Sequence, residues 1–237
     1  DAIADLYEKI IAKNANSFYE TSLQQIVDRG FNNVLAALQK SRRSLKNSIL
    51  NVAELLNICF ASGGKVLICG NGGSAADAQH FAAEFVGRFK CKSRPGLPAL
   101  ALNADTAVLT AWSNDVGYEN VFSRQVEAFG SPGDVILGIS TSGNSRNLIK
   151  AFETARDRGM RCVALVGKDG GDLHQLADLS IIVPAMDTQH IQEVQIVVIH
   201  LLCELVEEQM MSAVSMAEFH IPTTHYPLPI KDKLCKN

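Results

Sequence analysis

Gly63-Gly64-Lys65-Val66-Leu67-Ile68-Cys69-Gly70-Asn71-Gly72-Gly73-Ser74-Ala75-Ala76-Asp77-Ala78-Gln79-His80-Phe81-Ala82-Ala83-Glu84 is the stretch that decides how the chain is read. The short apolar run Val66–Cys69, bounded by glycines, reads as a buried strand. The alanine-rich sequence after Ser74 reads as a helix. Between them, Gly70-Asn71-Gly72-Gly73-Ser74 must turn tightly and leave backbone N–H groups bare. Small side chains let an anion approach those groups and the positive end of the helix dipole, so the segment is a phosphate cradle in outline. It is neither Gly-x-Gly-x-x-Gly nor a Walker A loop, since no Gly-Lys-Ser/Thr closes it. His80 and Glu84, four apart, share one helix face. A phosphate grip and a polar pair on one strand–helix unit point to sugar-phosphate chemistry.

Outward from this unit, the same alternation continues. Apolar runs at Val66–Cys69, Ala99–Leu102, Val135–Ile139, Cys162–Val166 and Leu179–Val183 are expected strands. Helical patterns follow at Ser74–Phe89, Glu119–Phe129, Ser145–Arg158, Leu173–Ala177 and Thr188–Met211. Residues 3 to 60 carry helical spacing, with Gly30 as the one obvious break. Strands alternating with helices predict an α/β fold: a five-stranded parallel, doubly wound sheet in a three-layer α/β/α sandwich, preceded by N-terminal helices. The expected division is a helical extension at 1–44, one α/β domain at 45–211 and an extended tail at 212–237. Three prolines within Pro222–Pro229 exclude helix there. That tail either packs on a neighbouring subunit or belongs to a linker.

In such folds ligands bind beyond the carboxyl ends of the strands. Two loops lie there: the glycine-rich one, and Ser140-Thr141-Ser142-Gly143-Asn144-Ser145 after the third strand. The second is either an ordinary helix cap or a second wrap around the same phosphate, and its placement beside the first favours the wrap.

Bulk properties narrow the classes. The 237 residues carry a net charge of −3, 47% hydrophobic and 20% charged residues, as an ordinary globular protein does. That charge offers no electrostatic reason to expect nucleic acid, and no apolar stretch is long enough to span a bilayer. Asp1–Asp5 has neither a basic nor an apolar signal-peptide region, and the absent initiator Met leads us to expect a trimmed or partial chain. Six cysteines show no Cys-x-x-Cys spacing and four lie in apolar runs, so reduced thiols and a cytoplasmic setting are expected.

Six blocks in order carry a resemblance: Cys69–Glu84, Ser-Asn-Asp-Val-Gly-Tyr (113–118), Phe-Ser-Arg-Gln-Val-Glu-Ala (122–128), Ile-Ser-Thr-Ser-Gly-Asn-Ser (139–145), Gly-Lys-Asp-Gly-Gly (167–171) and Ile-Gln-Glu-Val-Gln-Ile-Val-Val-Ile-His (191–200). From Leu45 to Glu208 the chain resembles the sugar isomerase (SIS) superfamily, and more closely its phosphoheptose isomerases. The resemblance implies a flavodoxin-like SIS domain and a homotetramer with active sites between subunits. It also implies one divalent metal, usually zinc, and sedoheptulose 7-phosphate as the substrate carried toward activated heptose for surface polysaccharide. His80, Glu84, Gln192 and His200 match the family's metal-binding or catalytic positions.

Aldose–ketose isomerisation needs a base for the carbon beside the carbonyl, an acid for the oxygens and something to hold enediolate charge. Two imidazoles, a carboxylate and an amide oxygen suit zinc better than calcium. Glu84 cannot bind metal through both oxygens and also act freely as base. Glu84 is therefore expected to transfer the carbon-bound proton with His200 as acid/base partner, while His80 and Gln192 position metal or substrate. Expected phosphate and sugar contacts are Asn71, Gly72, Gly73, Ser74, Asn114, Asp115, Ser140, Thr141, Ser142, Ser145 and Gln192. Two other classes remain: a non-catalytic sugar-phosphate sensor or protein-partner binder, and an isomerase of another sugar phosphate. A dinucleotide site fits worst, because the glycine pattern is wrong and no acidic residue follows a second strand where a ribose needs one.

Overall fold

The structure, a computed structural model, describes residues 3–6 and 17–219. Two helices open the main body, α1 (Ser17–Ser44) and α2 (Lys46–Ala61). Then follow β1 (Val66–Gly70), α3 (Gly73–Val86), β2 (Ala99–Ala101), α4 (Thr106–Asp115), a single 3-10 turn (Tyr118–Asn120) and α5 (Val121–Phe129). The chain continues through β3 (Val135–Ser140), α6 (Arg146–Asp157), β4 (Arg161–Gly167), α7 (Gly171–Leu176), β5 (Leu179–Val183) and α8 (Thr188–Phe219).

All four strand pairings are parallel, in the order β2-β1-β3-β4-β5. β1 aligns Val66 with Val135 and Gly70 with Ile139, so β1 and β3 end side by side. Strand residues alternate between two cores, as the two-residue period requires. Val66, Ile68, Leu137 and Leu165 pack with α2, α3 and α8 residues such as Leu56, Phe81, Phe85 and Val198. Leu67, Cys69, Ile136 and Val166 face the opposite layer, against Phe122, Val126, Leu148 and Phe152 of α5 and α6. Both faces of the sheet are covered, which is the expected three-layer arrangement.

Gly30 does not break the first helix: α1 runs through it, and the interruption falls at Leu45, which is buried. One glycine costs a helix about 1 kcal/mol against alanine, too little to stop a long one. Helix α4 is an element the sequence pattern does not predict: it is short and fully buries no residue, and only Leu109 and Trp112 lean on the core. Its signal is the cap: Asp105 accepts a hydrogen bond from the Val108 N–H at 3.1 Å. The acidic residue that stands past β2 is thus engaged in capping. Helix α8 continues beyond Met211 to Phe219, since no Gly or Pro interrupts that stretch. Residues 220–237, which include the proline-rich segment, lie outside the described residues.

Candidate active site

The crevice forms where β1 and β3 neighbour each other and their connections leave to opposite faces, the switch point of a doubly wound sheet. Two helix N-termini, those of α3 and α6, open there directly after their strands.

The first loop turns on Gly72, whose φ of +57° lies in the left-handed region open to glycine. Ser74 is buried in the first turn of α3, and its backbone crowds Gly70 so closely that a Cβ there would meet Ser74 O at 2.3 Å. Asn71, expected to touch substrate, instead forms a reciprocal amide pair with Asn147: each side-chain nitrogen donates to the other's oxygen at 2.9 Å. The Tyr118 hydroxyl donates to the same Asn71 oxygen at 2.8 Å. Asn71 therefore braces the first loop against α6.

In the second loop the buried Ser140 hydroxyl accepts from the Gly143 N–H at 3.1 Å and lies 3.4 Å from the Ser145 hydroxyl. The Ser142 hydroxyl accepts from the Asn144 N–H at 3.2 Å, and Thr141 is half-buried between them. Ser145 occupies the N-cap of α6, yet its side chain makes no capping hydrogen bond. The plain-cap reading of this loop does not describe it, because the Ser145 hydroxyl turns to Ser140 and not to the helix N–H groups. Gly143, at φ +70°, sits where a Cβ would lie 1.9 Å from Gly170 O. The Gly-Lys-Asp-Gly-Gly segment thus supplies the seat on which the second loop rests, with Leu173 N–H donating to Gly143 O at 2.9 Å.

Helices α3 and α8 carry the residues expected to act as acid and base. His80 Nε2 lies 2.9 Å from His200 Nε2 and 3.6 Å from Glu84 Oε1. The Phe89 ring stacks on His200 with centroids 5.6 Å apart. His200 is half-buried and faces this cluster, so it is not a core histidine of α8's apolar stripe. Negative charge on Glu84 adds to burial in raising the Cys203 thiol above its ordinary value. Asp77, one turn before His80, is raised by burial, and His80 opposes that rise.

Gln192 stands elsewhere. Its amide lies against Gly73, where a Cβ would meet Nε2 at 2.5 Å, and no hydrogen bond joins it to His80, Glu84 or His200. Gly73 to His80 and Gln192 to His200 are stretches of similar length, roughly 10 to 12 Å at 1.5 Å per residue, and they pair in the same order. Helices α3 and α8 thus run alongside in one direction, with the amide at the phosphate-loop end and the histidines two turns further on. Buried Gln195 fixes α8 to the sheet by donating to Leu165 O at 3.0 Å. Asn114 donates to Asp115 at 3.0 Å on the exposed last turn of α4, and no hydrogen bond links either to the two loops.

Among the described residues no three His, Cys, Asp or Glu side chains form a complete metal cluster. The donor chemistry nonetheless suits zinc. Two ligand atoms on one tetrahedral zinc at 2.0–2.1 Å stand about 3.4 Å apart, close to the 3.6 Å between His80 Nε2 and Glu84 Oε1. The sequence had no signal for Arg94, Glu207 or Gln195, and it held Tyr118, Asn147 and Gly170–Gly171 without giving them roles.

Fold and site define the class: a family model of the SIS domain matches residues 31–167. The phosphoheptose isomerase of Helicobacter pylori (strain P12) is 54% identical over 171 residues, covering 72% of this chain and 88% of that protein. The solved phosphoheptose isomerase of Neisseria gonorrhoeae superposes with a TM-score of 0.74 at 44% identity, covering 78% of this chain and 99% of the other. That of Francisella tularensis gives 0.76 at 37% identity, covering 79% and 98%. The chain belongs to the phosphoheptose isomerase family of SIS-domain proteins.

Proposed function

We propose that this protein is an aldose–ketose isomerase converting sedoheptulose 7-phosphate to D-glycero-D-manno-heptose 7-phosphate, the entry to activated heptose for surface polysaccharide. The observation that carries the proposal is the gathering of His80, Glu84 and His200 beside two phosphate-type loops in a chain of this family.

The sugar's phosphate sits between the N-termini of α3 and α6, with Ser74, Ser140, Thr141, Ser142 and Ser145 around it. Remote binding of this kind orients the reacting carbons. Glu84 removes a proton from C1 of the ketose while His200 delivers one to O2, giving the enediol. His200 then takes the proton from O1 as Glu84 returns its own to C2, leaving the aldose and both side chains as they began. His80 and one oxygen of Glu84 would hold a zinc ion, which when bound would supply Lewis-acid stabilisation of negative charge, leaving the second Glu84 oxygen and His200 for the proton transfers. Gln192 would present its amide to the sugar phosphate beside Gly73.

The proposed assembly is a homotetramer with sites between subunits. Supporting it, α1 leaves Leu23, Ile26, Val27, Phe31 and Leu35 exposed at helical spacing, an apolar stripe that a single chain does not cover. The proposed setting is the cytoplasm. No described helix is long and apolar enough to cross a membrane. Cys59, Cys69, Cys162 and Cys203 are buried and unlinked, burial pushing the Cys59 thiol up to about 11 and that of Cys162 to about 12.

Zinc-loaded protein incubated with sedoheptulose 7-phosphate should produce the aldose, followed by NMR, while Glu84→Gln should not. Absence of turnover with sugar-phosphate binding intact would point to a sensor or to another sugar.

A further inference from the structure

One buried ion pair holds the backbone of Glu84 and that of Phe89, whose ring in turn stacks on His200. Arg94 and Glu207 have side chains only 2% and 5% exposed and meet at 2.5 Å. Glu207 comes from α8, seven residues beyond His200, whereas Arg94 lies in the connection from α3 to β2. Each Glu207 oxygen is filled twice. Oε1 accepts from Arg94 Nε at 2.5 Å and from the Phe89 N–H at 2.9 Å. Oε2 accepts from the Lys90 and Cys91 N–H groups at 2.8 and 2.9 Å. Burial alone would raise this carboxyl, but these N–H groups and the guanidinium outweigh it and hold it below the ordinary range.

The guanidinium also donates to two carbonyls of the other catalytic helix and to one beside itself in the connection. It donates to Glu84 O at 2.5 Å, to Phe85 O at 2.8 Å and to Pro95 O at 2.9 Å. The pair therefore grips the last turn of α3, which carries Glu84. It also grips the backbone of Phe89, whose ring stacks on His200. We propose that Arg94 and Glu207 form a positioning clamp that sets Glu84 and the His200 ring in register, with Phe89 as its contact on the imidazole. This deepens the reading of Glu84 and His200 as the proton-transfer pair and rests on it. Neither clamp residue touches substrate, so both are positioning residues. Burying an ion pair is weak evidence of stabilisation by itself; its value here is geometric, since only a planar fork can reach one carboxylate and three carbonyls together.

The test uses the full chain in four variants. Phe89→Leu removes the ring, Phe89→Tyr keeps it, and Arg94→Lys keeps the charge but loses the fork. Asp134→Asn is the control, because it breaks the pair of half-buried Lys65 with buried Asp134 at the amino-terminal side of the sheet. Two quantities are read: the ring-current displacement of the His200 ring protons in metal-free protein, and kcat and KM for sedoheptulose 7-phosphate. Phe89→Leu and Arg94→Lys should lose the displacement and roughly tenfold or more of kcat, as a misplacement near 1 Å does. KM should move less than about twofold. Phe89→Tyr should restore both, and Asp134→Asn should lower the melting temperature while leaving both unchanged. Wild-type resonances and kcat in folded Arg94→Lys would overturn the clamp. If Arg94→Lys does not fold, Glu207→Asp takes its place with the same expectations. A wild type without turnover would refute the isomerase reading, and the resonance displacement alone would then decide the clamp, its survival in Arg94→Lys overturning it.

Discussion

Replacing Gly73 by alanine separates the cost of a side chain to the fold from its cost to the site. Gly73 is the first residue of α3 and its φ is not in the left-handed region, so the backbone accepts a Cβ. The nearest atoms all belong to the Gln192 amide, Nε2 at 2.5 Å and Cδ and Oε1 at 3.1 and 3.2 Å. An ordinary contact needs about 3.5 Å, so the amide must retreat by about 1 Å, which a flexible side chain does at little expense. Alanine for glycine in a helix gains about 0.5–1 kcal/mol, so stability should stay level or rise slightly. A displaced amide loses a hydrogen bond to a charged ligand, about 1.5–3 kcal/mol. At 1.36 kcal/mol per factor of ten, kcat/KM should fall roughly tenfold to 150-fold. Thermal melts and steady-state kinetics read the two effects separately. The double variant Gly73→Ala with Gln192→Ala should be no worse than Gln192→Ala alone, because the loss runs through one group. An additive double variant would show that the new methyl blocks phosphate directly. A large drop in stability, or unchanged kcat/KM, would refute the placement of Gln192.

Gly143→Ala should behave oppositely. Its φ of +70° costs an L-residue about 1–2 kcal/mol, and the Gly170 carbonyl at 1.9 Å is backbone that must be pushed aside, so urea unfolding should show a loss above about 2 kcal/mol together with a raised KM. Tyr118→Phe removes one donor from Asn71 while Asn147 remains, so stability should change by less than about 1 kcal/mol and KM should rise a few-fold in the same kinetic assay. Glu207 has a folded value below its ordinary 4.5, so its contribution is full above that value and is lost as pH falls through the lowered one. Urea unfolding followed from pH 6 down to pH 3 should therefore steepen less in Glu207→Gln than in the wild type, and equal slopes would count against the depressed value.

Much of this molecule is legible along the chain because its signals are local. A strand run, a glycine turn and an alanine-rich helix in 22 consecutive residues declare the βα unit and the tight turn at its strand end. His80 and Glu84 announce themselves by a one-turn spacing. Five short apolar runs separated by helical patterns are enough for a parallel sheet, since only crossover connections join parallel strands. Local patterns failed where they were weak: α4 leans on the core through Leu109 and Trp112 alone, and Gly30 carries a penalty too small to interrupt α1.

What the sequence by itself determined is the architecture, the two glycine- and serine-rich loops at the strand ends and the residue types of the proposed acid/base set. Those depend on spacing and backbone freedom, which are properties of neighbouring residues. Only the tertiary structure decided how the set is divided: it seats Gln192 on Gly73 and turns His200 toward His80, 120 residues away. It also binds Asn71 to Asn147 and closes Glu207 on Arg94, pairs separated by 76 and 113 residues. An amide or a carboxylate has the same local signature whether it meets a ligand, a partner side chain or bare backbone. Its role is fixed by which groups the packing of α3, α6 and α8 brings within hydrogen-bond reach.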